Sequence, residues 1–215
     1  MKLRHIVWDW NGTLINDAYL CVDILNHHLQ THKKKKISLK FYRNNFFFPV
    51  SGFYKLIGLP ARGKAFASIS QSFITKYHQN FNRIRLQPFA RSVLTEFSSI
   101  NLSQSVLSAG KTNHVVHFLT KKKLLNFFEN VAGSSNIKAS GKIESAKSLC
   151  SSLSLHPSEV LLVGDTIHDY EIANEFGWQS VLLSNGHNSL YSLRNVSSPV
   201  LKNLSELPSL IRKYL

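Results

Sequence analysis

His5-Ile-Val-Trp-Asp9-Trp-Asn11-Gly-Thr-Leu14 joins a short apolar run to a carboxylate and a sharp turn. The apolar residues 6–8 predict a buried strand, and Asn11-Gly12 is a strong turn signal. This turn would leave Asp9 at the carboxyl end of the strand, where open α/β sheets bind their ligands. A carboxylate in that position can act as a nucleophile or bind a cation.

A second apolar run ends in the same way, because Val160-Leu-Leu-Val163 leads into Gly164-Asp165-Thr-Ile-His-Asp169. Two strand ends would therefore present carboxylates to one edge of a sheet. Clustered carboxylates repel one another in a dry cleft unless a cation is present, and Mg²⁺ prefers oxygen ligands of this kind. The alternative is that Asp165 or Asp169 caps the helix that follows.

Patterns of strand and helix alternate along the chain after Pro88. Strands are predicted at 105–108, 131–132, 160–163 and 181–183. Helices are predicted at 93–97, 114–128, 143–153, 170–176 and 204–214. Strands separated by helices predict an α/β fold with a Rossmann-like, doubly wound parallel sheet.

Residues 16–86 are instead typical of a helical module inserted into that α/β core. A helix start at Asn16-Asp17 is followed by apolar residues at three- and four-residue steps, and Phe66–Phe81 repeats this periodicity. The aromatic segment 46–54 would form the core of the module and its contact with the main domain, or alternatively line a substrate pocket. We therefore predict a core domain of residues 1–15 and 87–215 and a cap domain of residues 16–86.

The charge is strongly positive, with 26 Lys and Arg against 12 Asp and Glu, a net charge of +14. This excess favours anionic ligands, whether phosphorylated metabolites, nucleic acid or a membrane surface. Lysine runs at 33–36 and 121–123 follow helical patterns and are interpreted as solvated helix ends. Nucleic acid is not the favoured partner, because the sequence has neither an aromatic-interleaved strand-binding motif nor zinc-finger spacing.

The remaining composition predicts a soluble cytoplasmic protein with no membrane partner. Hydrophobic residues make up 43% of the chain, enough for a packed interior. No run reaches the ~18 apolar residues of a membrane span, and the first residues do not resemble a signal peptide. Cys21 and Cys150 lack metal-ligand spacing and fit buried thiols in a reducing compartment.

Two positions give weaker signals for anion binding. Ser108 ends a predicted strand and precedes Ala109-Gly110, where a hydroxyl and open backbone N–H groups can hold phosphate oxygens. Lys142 can supply a fixed positive charge to a phosphoryl group.

In order and spacing these segments resemble the four motifs of haloacid dehalogenase-like hydrolases, over essentially the whole chain. The branch most similar is phosphoglycolate-phosphatase-like, in members whose first motif is Asp-Trp-Asn-Gly-Thr-Leu. The matching segments are 9–14, Phe48-Pro-Val50, Ser108, Ser140-Gly-Lys142, 162–169 and Asn185-Gly-His187. One departure from the family pattern Asp-x-Asp-Gly-Thr is Asn11, which replaces the second aspartate.

The resemblance implies a phosphatase that uses Mg²⁺ to hydrolyse a small phosphorylated substrate. Asp9 would be the nucleophile that forms an aspartyl-phosphate. Asp9, Asp165 and the backbone carbonyl of Asn11 would bind Mg²⁺. Asp169 would complete the metal site or orient Lys142.

For the phosphoryl group, the resemblance assigns Ser108, Ala109 and Lys142 as the residues that hold it. The helical module would be the cap that excludes water and selects the substrate.

Asn11 raises the question of proton transfer, because the family's second aspartate protonates the leaving group and then deprotonates the attacking water. A carboxamide has no titratable proton near neutrality. Acid–base catalysis is typically worth about 10²–10⁴-fold, so Asn11 predicts a slower enzyme or one restricted to good leaving groups.

Three alternatives remain open at this stage. His168 or His187 carries the proton, unless both are surface loop residues. A long-lived aspartyl-phosphate would make the protein a phosphotransferase. A degenerate, non-enzymatic fold that binds nucleic acid or another polyanion is the alternative from a different functional class.

Overall fold

The structure, a computed structural model, describes residues 2–134 and 141–214. A six-stranded parallel sheet lies at its centre, with the strand order β5-β4-β1-β6-β7-β8, and a separate antiparallel pair joins β2 to β3. The strands are β1 (His5–Asp9), β2 (Ile15–Asn16), β3 (Arg85–Leu86), β4 (Ser103–Lys111), β5 (Asn130–Ser134), β6 (Val160–Gly164), β7 (Gln179–Leu183) and β8 (Val200–Leu201). The predicted fold class, a doubly wound α/β sheet, is confirmed.

Helices cover the sheet and form the segment between β2 and β3. They are α1 (Ala18–Thr31), α2 (Leu39–Asn45), α3 (Val50–Leu56), α4 (Gly63–Gln79), α5 (Ala90–Ser99), α6 (Thr112–Lys121), α7 (Gly141–Leu153), α8 (Ile167–Glu175), α9 (Leu190–Leu193) and α10 (Leu207–Ile211). The first four lie within the predicted module of residues 16–86.

Strand β1 lies in the interior of the sheet and packs against apolar residues on both of its faces. Successive side chains of a strand point to opposite faces. Ile6 and Trp8 therefore pack into one apolar cluster, and Val7 packs into another on the opposite face. All five residues of β1 are buried, as expected for a parallel strand covered on both sides.

Strand register places the predicted site residues at one edge of the sheet. Asp9 pairs with Leu107 of β4, so Ser108 lies one residue beyond it. On the other side Trp8 pairs with Val163 of β6, so Gly164-Asp165 follows at the same edge. The strands β4 and β6 lie on opposite sides of β1, so the strand order reverses at this point. Doubly wound sheets bind their ligands at such a point.

Several predicted boundaries differ from the structure. The helix expected at 114–128 ends at Lys121, because Lys123 takes a left-handed conformation with a φ of 55° and residues 125–127 form a separate 3₁₀ turn. Helix α8 begins at Ile167, three residues before the predicted start at 170, because Thr166 and Asp169 form a capping box. Strands β2, β3 and β8 have only two residues each, too few for a periodicity to be recognised.

The interpretation of the second lysine run, 121–123, as a solvated helix end is wrong for Lys122. Its ammonium group hydrogen-bonds the carbonyl of Ile84 and lies 5.1 Å from the centre of the Phe81 ring. By contrast, all four lysines of the run 33–36 are exposed. Among the residues that the structure describes, no helix has the length and apolar character needed to cross a membrane.

Candidate active site

Three buried carboxylates meet at the carboxyl edge of the sheet. Asp9 ends β1, Asp165 follows β6 and Asp169 lies in the first turn of α8. They are 6%, 0% and 1% exposed, and one oxygen from each lies within 4.8 Å of those from the other two. The sequence prediction that these residues share one edge is therefore confirmed as geometry.

Lys142 lies between two of these carboxylates. Its Nζ atom is 2.5 Å from Asp9 Oδ1 and 2.6 Å from Asp169 Oδ1, and the side chain is buried. Burial by itself would lower the pKa of Lys142, but the Asp169 and Asp9 carboxylates raise it above its ordinary value. The ammonium group therefore stays charged and compensates part of the negative charge of the cluster.

Asp169 is held by more donors than any other member of the cluster. Its Oδ2 atom accepts hydrogen bonds from the Asp165 amide at 3.2 Å, the Thr166 amide at 3.0 Å and the Thr166 hydroxyl at 2.7 Å. Burial would raise the pKa of Asp169, but Lys142 and the Thr166 donors outweigh it and lower the pKa. Asp169 thus caps α8, as the alternative interpretation predicted, and contacts Lys142 at the same time.

The negative charges of Asp9 and Asp165 are less well compensated than the charge of Asp169. Burial raises the pKa of Asp9 well above its ordinary range, opposed by Lys142 and reinforced by Asp169 and Asp165. Burial also raises the pKa of Asp165 to about 6, although the Thr13 hydroxyl, 3.0 Å from its Oδ1 atom, favours the carboxylate. A divalent cation beside these oxygens would relieve the cost of keeping both groups ionised.

At two positions of the site the backbone lies so close to the Asp165 side chain that only glycine fits. A Cβ atom on Gly12 would collide with Asp165 Oδ2 and lie 2.5 Å from His187 Cδ2, and Gly12 has a φ of 79°. A Cβ atom on Gly186 would also collide with Asp165 Oδ2. Glycine at both positions lets the two loops close around the Asp165 carboxylate.

The predicted phosphate-binding residues lie beside this cluster. Ser108 is fully buried in β4, three residues before the strand ends at Lys111, where the pairing with β5 changes register. Its hydroxyl accepts a hydrogen bond from the Gly110 amide at 3.1 Å. Ala109 is half-buried next to it, and Lys142 begins the first turn of α7. Ser140, part of the motif quoted with Lys142, lies outside the described residues.

Asn11 does not contact the carboxylate cluster through its amide nitrogen. Its Nδ2 atom donates to Asp17 Oδ2 at 2.7 Å and to the Tyr77 hydroxyl at 2.8 Å. Tyr77 donates its own hydrogen to Asp17 Oδ2 at 2.7 Å, and the Gly12 amide donates to Asp17 Oδ1 at 2.8 Å. The Nε2 atom of His187 lies 3.2 Å from the same Oδ1 atom.

His187 is buried, so the interpretation of both histidines as surface loop residues is wrong for it. Burial would lower the pKa of His187, but Asp17 raises it to about 9, and Nδ1 lies 2.9 Å from the Tyr42 hydroxyl. Burial would likewise raise the pKa of Asp17, but His187 and the other donors lower it. His168 is half-buried in the first turn of α8, with Nδ1 3.3 Å from Glu171 Oε2.

Asp17, Tyr77 and Tyr42 were not predicted from the sequence to be site residues. Asp17 was predicted only as a helix start. Asp17 does precede α1, but its side chain makes no capping hydrogen bond and reaches back to the Asn11-Gly12 turn. Tyr77 and Tyr42 lie in helical patterns where a buried tyrosine is an ordinary core residue, so no sequence signal distinguished them.

The segment between β2 and β3 contacts α8 and the loop after β7 close to these residues. The ring of Phe48 lies 5.0 Å from the ring of His168. Arg43 of α2 donates to the backbone carbonyl of Asn185 at 2.8 Å. Phe48 of the aromatic segment 46–54 thus contacts a residue of α8.

Comparison with known proteins agrees with this geometry. The family model described as haloacid dehalogenase-like hydrolase matches residues 6–183. No curated protein matches the chain.

Solved structures of similar fold cover nearly the whole chain. A protein described as a predicted phosphoglycolate phosphatase from Haemophilus somnus 129PT is 21% identical, with a TM-score of 0.77 and coverage of 98% of each chain. A predicted phosphatase from Clostridium acetobutylicum is 16% identical, with a TM-score of 0.78 over 99% of this chain and 100% of the other. A haloacid dehalogenase-like family hydrolase from Streptococcus pneumoniae is 18% identical, with a TM-score of 0.73 over 97% and 98%. From the family model and the shared fold, the chain belongs to the haloacid dehalogenase-like hydrolases.

Proposed function

We propose that this hydrolase is a Mg²⁺-dependent phosphatase that cleaves a small phosphomonoester through an aspartyl-phosphate on Asp9. The single observation that carries the proposal is the position of the Lys142 ammonium group, 2.5 Å from Asp9 Oδ1 at the switch point of the sheet. A nucleophilic carboxylate and a fixed cation at one point are what phosphoryl transfer needs, because its catalysis depends mainly on positioning and charge stabilisation.

The acidic donors fit a magnesium ion. Asp9 and Asp165 offer buried carboxylate oxygens whose pKa values are raised chiefly by burial and, to a smaller extent, by neighbouring carboxylates. We assign these two side chains and the backbone carbonyl of Asn11 to the metal. Asp169 was also predicted as a ligand, but four donors already occupy its oxygens, so we assign it to orienting Lys142. When bound, Mg²⁺ would neutralise charge on the transferred phosphoryl group.

In the proposed reaction Asp9 attacks phosphorus, so that a bond from Asp9 oxygen to phosphorus forms while the ester P–O bond breaks. The leaving oxygen takes a proton from solvent. Lys142, the Ser108 hydroxyl and the Ala109 backbone amide would hold the phosphoryl oxygens. Water then attacks phosphorus, so that a new P–O bond forms while the bond from phosphorus to the Asp9 oxygen breaks. A proton of the water passes to solvent or stays on the phosphate, and inorganic phosphate and the Asp9 carboxylate are released.

We assign residues 16–86 the role of a cap that excludes water and selects the substrate. The antiparallel pairing of β2 with β3 supports this division, because the two short strands bring the ends of the segment together. The free thiols of Cys21 and Cys150 support the proposed cytoplasmic location.

The surface charge supports a second candidate, a non-enzymatic protein that binds nucleic acid or another polyanion. The net charge is +14 and Lys33 to Lys36 are all exposed. Such binding would weaken steeply with salt and would survive Asp9→Asn, whereas the phosphatase would not.

The discriminating experiment screens phosphorylated metabolites for phosphate release with Mg²⁺ or with EDTA. We expect release that requires both Mg²⁺ and Asp9. Salt-sensitive polynucleotide binding by wild type and Asp9→Asn, with no turnover of any substrate, would favour the second candidate.

A further inference from the structure

The Asn11 side chain has both of its donor hydrogens engaged. A carboxamide nitrogen carries two hydrogens, and here one is donated to Asp17 Oδ2 at 2.7 Å and the other to the Tyr77 hydroxyl at 2.8 Å. The side chain of residue 11 therefore has no N–H left for a substrate while these two contacts persist.

The chemistry of the partners determines which way the amide points. The carboxylate of Asp17 can only accept, and Tyr77 donates its single hydroxyl hydrogen to Asp17 Oδ2. A reversed Asn11 amide would place its carbonyl oxygen 2.7 Å from an Asp17 carboxylate oxygen, without a hydrogen between them. Orientation of an amide is ordinarily assigned from such a network, and here the contact with the Asp17 carboxylate fixes it.

Burial keeps this arrangement rigid. Asp17 is 0% exposed and Tyr77 is 8% exposed. The other oxygen of Asp17 is held by the Gly12 amide at 2.8 Å and by His187 at 3.2 Å. Because Tyr77 belongs to α4 and His187 follows β7, side chains from the inserted segment and the core domain both fix the Asp17 carboxylate.

We propose that Asp17 and Tyr77 are positioning residues that hold the Asn11 carboxamide with its oxygen, and not its nitrogen, turned toward the phosphoryl group on Asp9. This inference rests on the proposed function. Residue 11 then accepts a hydrogen bond from the attacking water and cannot donate one to the leaving group.

This orientation has different consequences for the two chemical steps. In the first step the ester P–O bond breaks without help from residue 11, so the rate depends steeply on how well the leaving oxygen bears negative charge. In the second step the Asn11 oxygen orients the attacking water but does not take its proton. That proton passes to the product phosphate or to solvent. The enzyme would thus favour phosphate esters with acidic leaving groups.

The same contacts predict that restoring an aspartate at position 11 fails on its own. Asn11→Asp would place two carboxylates about 2.7 Å apart in a buried site, where like charges cannot both stay ionised. Adding Asp17→Asn removes the conflict, since the carboxamide introduced at position 17 can donate to the new carboxylate. The free oxygen of that carboxylate would then act as a general acid and base.

The experiment compares phosphate release from a series of aryl phosphates of graded leaving-group acidity and from one alkyl phosphate, at saturating Mg²⁺. The proteins are wild type, Asn11→Asp, Asp17→Asn, the double variant, Tyr77→Phe and the control Asn113→Asp, an exposed asparagine on α6. We expect a steep leaving-group dependence in wild type and the control. The double variant should show a shallow dependence and turn over the alkyl ester about 10²–10⁴-fold faster than wild type. Asn11→Asp alone should fall short of the double variant by at least about tenfold.

A second readout does not require turnover. In a ¹⁵N-labelled protein the Asn11 side-chain NH₂ signals are assigned by their loss in Asn11→Asp. We expect them to exchange slowly with water in wild type and to shift in both Asp17→Asn and Tyr77→Phe.

The inference is overturned if Asn11→Asp alone gives the full gain, or if the NH₂ signals do not respond to Asp17→Asn. Failure of the proposed function looks different. It would appear as no Mg²⁺-dependent phosphate release by any of the proteins, with the NH₂ signals still reporting the amide orientation.

Discussion

Lys142 Nζ lies 2.5 Å from Asp9 Oδ1, although the two residues are 133 positions apart in the chain. Asp9 ends the central strand and Lys142 lies in the first turn of α7, so the sheet and its covering helix together build this ion pair. Both groups are buried, and each has a second charged neighbour in the same cluster.

Asp9→Asn should reduce phosphate release to background, because a carboxamide is not a competent nucleophile toward phosphorus. Folding should be retained, since the substitution removes one of several repelling buried carboxylates. Steady-state phosphate release and thermal denaturation measure the two effects. The matched control Asp23→Asn, at an exposed aspartate of α1, should keep wild-type turnover.

Lys142→Met should destabilise the fold by about 3–5 kcal/mol, because it leaves two buried carboxylates without their shared cation. Urea denaturation measures the loss. Lys147→Met on the exposed face of the same helix should change stability little. Equal stability of the two variants would contradict the role assigned to Lys142.

Magnesium should raise the melting temperature of the wild-type protein. A ligand at 100 times its dissociation constant stabilises the folded state by about 2.7 kcal/mol. Asp165→Asn should abolish most of this shift, because it removes one of the two proposed carboxylate ligands. A shift that is equally large in this variant would place the metal elsewhere.

Stability should fall as the pH rises from about 6.5 to about 9. His187 has a folded-state pKa raised to about 9 from an ordinary value of 6.5, chiefly through Asp17. Its contribution, on the order of 3 kcal/mol, is fully present below pH 6.5 and is lost as the pH passes through 9. Urea denaturation across this range measures the decline, and His187→Gln should flatten it.

The sheet and the acidic cluster were predictable because they depend on local patterns. Residues 6–8 and 160–163 are short apolar runs that end in carboxylates, and parallel strands bring such ends to one edge. The two-residue strands β2, β3 and β8 carry no periodicity, so they were missed. The predicted helix 114–128 extends beyond the end of α6 because nothing in the lysine run indicates that Lys123 adopts a left-handed conformation.

The surroundings of Asn11 were not predictable for a different reason. Tyr77 lies 66 positions away, and the pairing of Asp17 with His187 depends on how the inserted segment packs on the core domain. A histidine in an Asn-Gly-His segment is ordinarily exposed, and only tertiary structure shows His187 to be buried. Hydrogen bonds between distant segments leave no periodic signal in a single sequence.

The most direct test of the account is to quench the protein in acid during turnover of an aryl phosphate with Mg²⁺ and to map the product by mass spectrometry. We expect a protein heavier by one phosphoryl group, attached to Asp9, and no such adduct in Asp9→Asn. Steady phosphate release with no adduct, or an adduct on another residue, would contradict Asp9 as the nucleophile.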